Sequence, residues 1–402
     1  MSLATYAVTE KDSKGRSYPE AAPKDGRSEF ARDRDRVTHS YAFRQLSGKT
    51  QVFTPASNQF GSSPSDKILY DDSMRTRMSH SIEVAQVARS IARALNLNED
   101  LSETLALAHD MGHTPFGHGG QDVLNQCMKP YGGFEHNIQS LRVITDLEHR
   151  YTQFKGLNLM FETKEGILKH CSPKNAELLG DIAARHREKK SPTLEAQATD
   201  LGDAIAYMCH DIDDGIRSGL VTPKDFANVE LFGRCWRDVQ SRLSGQPEAL
   251  QVQETIRDMM GLMIRGTIVN ALQNIERFGI KTVADVRNSP EVILLPEGLA
   301  KQHADLKSQM YKKLYHHQEV SLVRTDVEEV IGGLFRLYMD NPALMPAGPV
   351  GEPRVLSTNS DTQKARAVCD YVAGLTDAQA YQQIKRFEPI LAANKTLELF
   401  EA

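Results

Sequence analysis

The sequence predicts an all-α fold with little β structure, and three observations predict it. Apolar residues recur at helical spacing over most of the chain from residue 79 onward, strand-type alternation is nearly absent, and no fixed-period repeat organises the 402 residues. The first 27 residues are polar, rich in Lys, Asp, Ser and Pro, and are expected to be disordered. Order is expected to begin at "RSEFARDRDRVTHSYAFRQL", where Phe30, Val37, Tyr41 and Leu46 can line one helical face. "KTQVF" reads as a short strand. The Ser/Pro/Gly/Asp-rich "TPASNQFGSSPSDKILYDDS" exceeds ordinary connection lengths and reads as a mobile loop or a functional flap. In "RTRMSHSIEVAQVARSIARALNLN", Ile82, Ala85, Val87, Ala88, Ile91, Ala92 and Leu95 predict a helix that Asn96 and Asn98 stop. Helical patterns follow in "LSETLALAHD", "EHNIQSLRVITDLEHR", "EAQATDLGDAIAYMCHDIDDGIRSGL" and "QETIRDMMGLMIRGTIVNALQNIERFG". The Pro-containing "SGLVTPKDF" is the seam that divides a core, residues 28–220, from a C-terminal helical lobe, residues 221–402.

Composition narrows the class. A formal charge of -5 excludes a generally basic nucleic-acid binder, so an anionic ligand must meet a local cationic cluster. Five scattered cysteines with no CxxC pair read as reduced thiols. The N-terminal residues lack the apolar core of a signal peptide, and no stretch reaches the ~20 apolar residues that span a bilayer. A cytoplasmic protein without a membrane segment is the expectation. The Arg/Lys-rich "RHREKK" at 185–190 reads as a solvated charge run, and "GKT" at 48–50 is no P-loop, because Phe43 stands where the first glycine must be.

The chemistry concentrates in "AHDMGHTPFGHGGQD". The apolar helix carrying Leu101, Leu105 and Leu107 ends against Gly112 and Pro115, which leaves His109 and Asp110 at the rim of a core. At a helix end both side chains can turn towards one ion, and imidazole with carboxylate suits Mn²⁺, Fe²⁺, Co²⁺, Ni²⁺, Zn²⁺ or, less comfortably, Mg²⁺. Two other helices offer further donors. His80 lies beside Arg75 and Arg77, while Asp203, Tyr207, His210 and Asp211 are spaced i, i+4, i+7 and i+8 on one face. Taken alone, that second stripe reads more readily as a buried Asp hydrogen-bonded to Tyr.

His80, the His109–Asp110 pair and Asp203 resemble the H…HD…D order of the HD-domain metal-dependent phosphohydrolases. The blocks "RTRMSHSIEVAQVARSIA", "LAHDMGHTPFGHGGQDVLN", "GGFEHNIQSLRV", "MYKKLYHH" and "DYVAGLTDAQA" are similar, in order, to those of the deoxyguanosinetriphosphate triphosphohydrolase-like proteins from about residue 28 to 380. The resemblance implies an HD-type helical fold and hydrolysis of a deoxynucleoside triphosphate, dGTP or several dNTPs, to deoxynucleoside and inorganic triphosphate. It implies a divalent metal, Mn²⁺ or Mg²⁺ or another first-row ion, on His80, His109, Asp110 and Asp203. His118 matches the catalytic histidine, and His136 and His113 match active-site positions able to neutralise phosphate charge. By the same matching Arg77 and Lys169 face the triphosphate, while Gln51, Tyr207 and Asp211 hold the deoxyribose and reject a 2′-hydroxyl. Relatives form homo-oligomers, often hexamers, and a nucleotide effector or single-stranded DNA is a further partner the resemblance implies.

Gln121 departs from the family pattern, where Glu usually follows three residues after the catalytic histidine and orients its imidazole. An amide hydrogen-bonds but brings no charge. Gln45 and Cys171 are smaller departures. The alternatives to a dNTP hydrolase are another HD-type nucleotide phosphohydrolase and a catalytically weak regulator that binds dNTP or nucleic acid.

Overall fold

A computed structural model of the protein describes residues 2–51, 74–348, 351, 353–356 and 360–387, and the fold over these residues is all-α. Among them, extended backbone pairs only at two isolated bridges, Arg16 with Met160 and Thr50 with Thr76. The described helices include α1 (Glu29–Thr38), α2 (Arg77–Ala94), α3 (Glu99–Ala108), α4 (Gly117–Met128), α5 (His136–Arg142), α6 (Leu194–Arg217), α7 (Glu248–Arg277), α8 (Gln318–Asp340) and α9 (Asp361–Ala373).

Local chemistry sets their ends. Ser28, Asn98 and Thr193 accept the N–H two positions into α1, α3 and α6, and Ser360 with Gln363 builds a capping box on α9. Asn96 takes a left-handed backbone (φ 53°) just past α2, a conformation its short amide tolerates. The two asparagines therefore divide the labour: one ends a helix and the other starts the next.

The chain forms two compact units, Met1–Ser40 with Ser79–His109 and Leu157–His317, and Tyr41–Met78 with Asp110–Gly156 and Gln318–Ala402. They interleave along the sequence, whereas the seam read at residue 221 falls inside the first unit. Compactness follows contacts between distant segments, which linear composition does not register. In the first unit α1 packs on α3, and α6 packs on α3 and α7. In the second α8 packs on α4 and α9 around Phe116, Leu124, Leu334, Tyr338 and Val372.

The N-terminal segment corrects the sequence expectation. Ala7 and Val8 are buried, the Val8 N–H donates to Glu195, and Arg16 pairs with Glu29 and Asp33, so the described residues of this segment are packed. Its charges are consumed in specific pairs, and composition counts them as solvated. In "RHREKK", residues 187–190 are exposed, as a solvated charge run predicts, while Arg185 is buried and donates to the Leu168 carbonyl at 2.6 Å. Tyr41 and Ile82, assigned to apolar faces, are exposed. The end of "KTQVF" and the whole of residues 54–73 lie outside the described residues. Among the described helices none is long and apolar enough to cross a membrane.

Candidate active site

In the first unit two imidazoles converge on one carboxylate. His109 is the C-cap of α3, its N–H closing the last turn on Leu105, as the apolar run ending at Gly112 predicts. Its ring Nδ1 lies 2.6 Å from the Ala106 carbonyl, an acceptor only, so Nδ1 carries the proton and Nε2 the lone pair. That Nε2 faces Asp203 Oδ1 at 3.7 Å, and His80 Nε2 stands 3.0 Å from the same oxygen. Gly202 permits the approach of α6 to α2. A Cβ there would lie 3.2 Å from the Ala88 backbone nitrogen.

A bare imidazole lone pair directed at a carboxylate repels it unless a cation intervenes. The donor set therefore fits a divalent ion by its own chemistry. Burial works against ionisation of Asp203, yet the Lys169 ammonium holds its carboxyl well below the usual range. Lys169 Nζ is 2.7 Å from Asp203 Oδ2 and 3.4 Å from Asp200 Oδ1, so the predicted phosphate-facing lysine is seated on the Asp203 carboxylate.

Further along the same face of α6, Tyr207 stacks on Tyr315 with centroids 6.1 Å apart, and the Tyr315 hydroxyl donates to Asp211. Burial, then Asp211, pushes the Tyr315 phenol far up, which keeps it a neutral donor. Sequence reasoning quoted Tyr315 only within a block; its helical turn, Tyr311–Tyr315, is far from α6 in sequence and carried no spacing signal.

In the second unit Asp110, joined to His109 by one peptide bond, accepts from Arg77 Nη1 at 2.7 Å and lies 3.3 Å from His113 Nε2. His113 stacks on His136 with centroids 4.1 Å apart, and His118 stands edge-on to His113 at 5.7 Å. Burial, then Arg77, keeps His113 well below the ordinary imidazole range despite Asp110. Gln121 Oε1 is 2.6 Å from His136 Nδ1. α4 and α5 thus share a polar link that the three-residue spacing to His118 does not suggest. Gln51 is buried beside this segment, its backbone oxygen 3.6 Å from where a Gly117 Cβ would be.

The histidine loop rests on buried polar support that sequence reasoning missed. Phe116 adopts a left-handed backbone (φ 61°), costing about 1–2 kcal/mol for a non-glycine residue. Its N–H is held by Asp377 Oδ1 at 2.8 Å, and the same carboxylate accepts from Thr50 N and Oγ1. Gly112 meets α5 so closely that a Cβ would fall 2.1 Å from Ser140 N. Lys49 Nζ donates to the His113 and Ala373 carbonyls, and burial pushes its ammonium down to about 7 from 10.5. Between those values the unfolded chain binds the extra proton, so the Lys49 contribution to stability rises with pH. Relative to Lys49→Met, the wild type should gain on the order of 1–3 kcal/mol between pH 7 and 9.5, measured by urea unfolding. A pH-independent difference would show that Lys49 carries no such shift.

Two family models match the chain: an HD domain over residues 77–208 and a phosphohydrolase-associated domain over residues 293–386. The deoxyguanosinetriphosphate triphosphohydrolase-like protein of Azoarcus sp. (strain BH72) is 48% identical over 384 residues, 96% of each chain. The chain belongs to the deoxyguanosinetriphosphate triphosphohydrolase-like family. Relatives of the same name from Thiobacillus denitrificans and Ralstonia pickettii are 45% and 44% identical, each over 96% of this chain and 97% and 94% of their own. Membership makes this an HD-type phosphohydrolase fold, and the HD match spans His80, His109, Asp110 and Asp203. The associated-domain match reaches Tyr315 and Asp377, both of which support the site.

Proposed function

We propose that the protein hydrolyses deoxynucleoside triphosphates to deoxynucleoside and inorganic triphosphate with a divalent metal on His80, His109, Asp110 and Asp203. The observation that carries this reading is the pair of imidazole Nε2 atoms directed at the Asp203 carboxylate, with the His109 tautomer set by a backbone carbonyl. His80, His109 and Asp110 are buried donors of the kinds a divalent ion takes. Such an ion, when bound, supplies polarisation of an α-phosphate oxygen and a more acidic water.

The protein's own groups do the remainder. The departing 5′-alkoxide is strongly basic, and His118 is the imidazole placed by motif to protonate it. His113, neutral, donates to a phosphoryl oxygen, and Arg77 and Lys169 bring positive charge near the triphosphate while sharing it with Asp110 and Asp203. Tyr207, braced by Tyr315, and Asp211 hold the sugar with Gln51, where a crowded edge disfavours a 2′-hydroxyl.

The test is incubation with each dNTP and Mn²⁺ or Mg²⁺, products resolved by ion exchange. Inorganic triphosphate with deoxynucleoside is expected, and none from His118→Ala. Orthophosphate or pyrophosphate instead would assign a different HD-type reaction. A dNTP-binding regulator, the alternative that Gln121 leaves open, would bind without product. Homo-oligomerisation, with a nucleotide effector or single-stranded DNA bound, belongs to the same proposal, and light scattering with and without each ligand checks it.

A further inference from the structure

One polar chain in the first unit plays no part in the reaction as described. His210, buried on α6, places Nδ1 3.2 Å from Nδ1 of His80, and its Nε2 pairs with the Glu83 carboxylate. Glu83 lies three residues beyond His80 on α2, and His210 seven beyond Asp203 on α6, so helical periodicity brings all four to one side of each helix. The protons can be counted. With an ion bound at His80 Nε2, the nitrogen directed at Asp203, that atom carries no proton; a carboxylate only accepts, so His210 Nε2 donates to Glu83, a neutral His210 offers its Nδ1 lone pair, and His80 Nδ1 donates to it.

We propose that Glu83 and His210 are positioning residues that fix the tautomer and orientation of His80 for metal binding. The inference rests on the metal-site reading above. His109 is held in the same tautomer by a different device, the Ala106 carbonyl, so both imidazoles present Nε2 to Asp203 with Nδ1 tied to a fixed acceptor. The charged groups facing this chain include Asp203, with Lys169 on its other oxygen, and Glu83 itself. Asp203 alone would draw a proton onto His80 Nε2; the Glu83–His210 pair opposes that by occupying Nδ1 with an acceptor.

Two measurements on the full chain test it. Calorimetric titration with Mn²⁺ should show affinity about 10–100-fold weaker in His210→Phe. It should recover most of that loss in His210→Gln, whose amide can both accept from His80 and donate to Glu83. In the wild type loaded with Zn²⁺, ¹⁵N spectra of the histidine rings should show His80 protonated on Nδ1 and ligating through Nε2, a signature that a space-filling role would not move. His210→Phe with circular dichroism and Mn²⁺ affinity both unchanged overturns the proposal, as does a loaded His80 ring that ligates through Nδ1. Should the wild type bind no divalent ion, the metal reading fails and the proposal with it, whereas metal binding that His210→Phe leaves unchanged fails the proposal alone.

Discussion

Asp203→Asn is expected to lower dNTP turnover about 10³-fold or more while leaving the helical circular dichroism spectrum intact. The carboxylate is the point on which His80 and His109 converge, and it also seats Lys169 at 2.7 Å. The amide keeps shape and one acceptor oxygen but removes the charge that balances a divalent ion against two neutral imidazoles. A single charge lost from a metal site that acts on a phosphoryl oxygen weakens transition-state stabilisation by several kcal/mol. The measurement is steady-state hydrolysis under saturating Mn²⁺, with Mn²⁺ affinity determined in parallel. Turnover within tenfold of wild type would remove Asp203 from the proposed metal set.

Asp377→Ala is expected to be the most destabilising of the substitutions considered, at roughly 3–5 kcal/mol. The carboxylate is buried and accepts from the Thr50 and Phe116 N–H groups and from the Thr50 hydroxyl. Truncation leaves two backbone donors without their acceptor and removes the charge nearest buried Lys49. It also releases Phe116 from its left-handed backbone, directly before the turn that carries His118. Urea unfolding at pH 7 checks the magnitude. A loss below about 1 kcal/mol would mean that water replaces all three hydrogen bonds.

Much of the site was legible because its signals are local. The end of α3 at Ala108 follows from an apolar periodic run meeting Gly112 and Pro115, and that alone places His109 and Asp110 at a helix terminus. The i, i+4, i+8 stripe of Asp203, Tyr207 and Asp211 follows from helical geometry. The H…HD…D order and its flanking blocks carried the family, which the relatives bear out over nearly the whole chain.

What a histidine or glutamine does within that frame depended on partners distant in sequence. Gln121 sits three residues from His118, and only the fold shows its contact with His136. Burial beside Arg77 pushes the His113 imidazole down, which residue type does not show. The contact of Lys169 with Asp203 likewise appears only in the fold, and the N-terminal charges counted as solvated until Arg16 met Asp33. The sequence by itself determined the helices, their caps, the donor types and the family, since each is written within a few turns of chain. The tertiary structure decided protonation, tautomer and pairing, because those depend on which distant group lies within about 3 Å and on whether water can reach it.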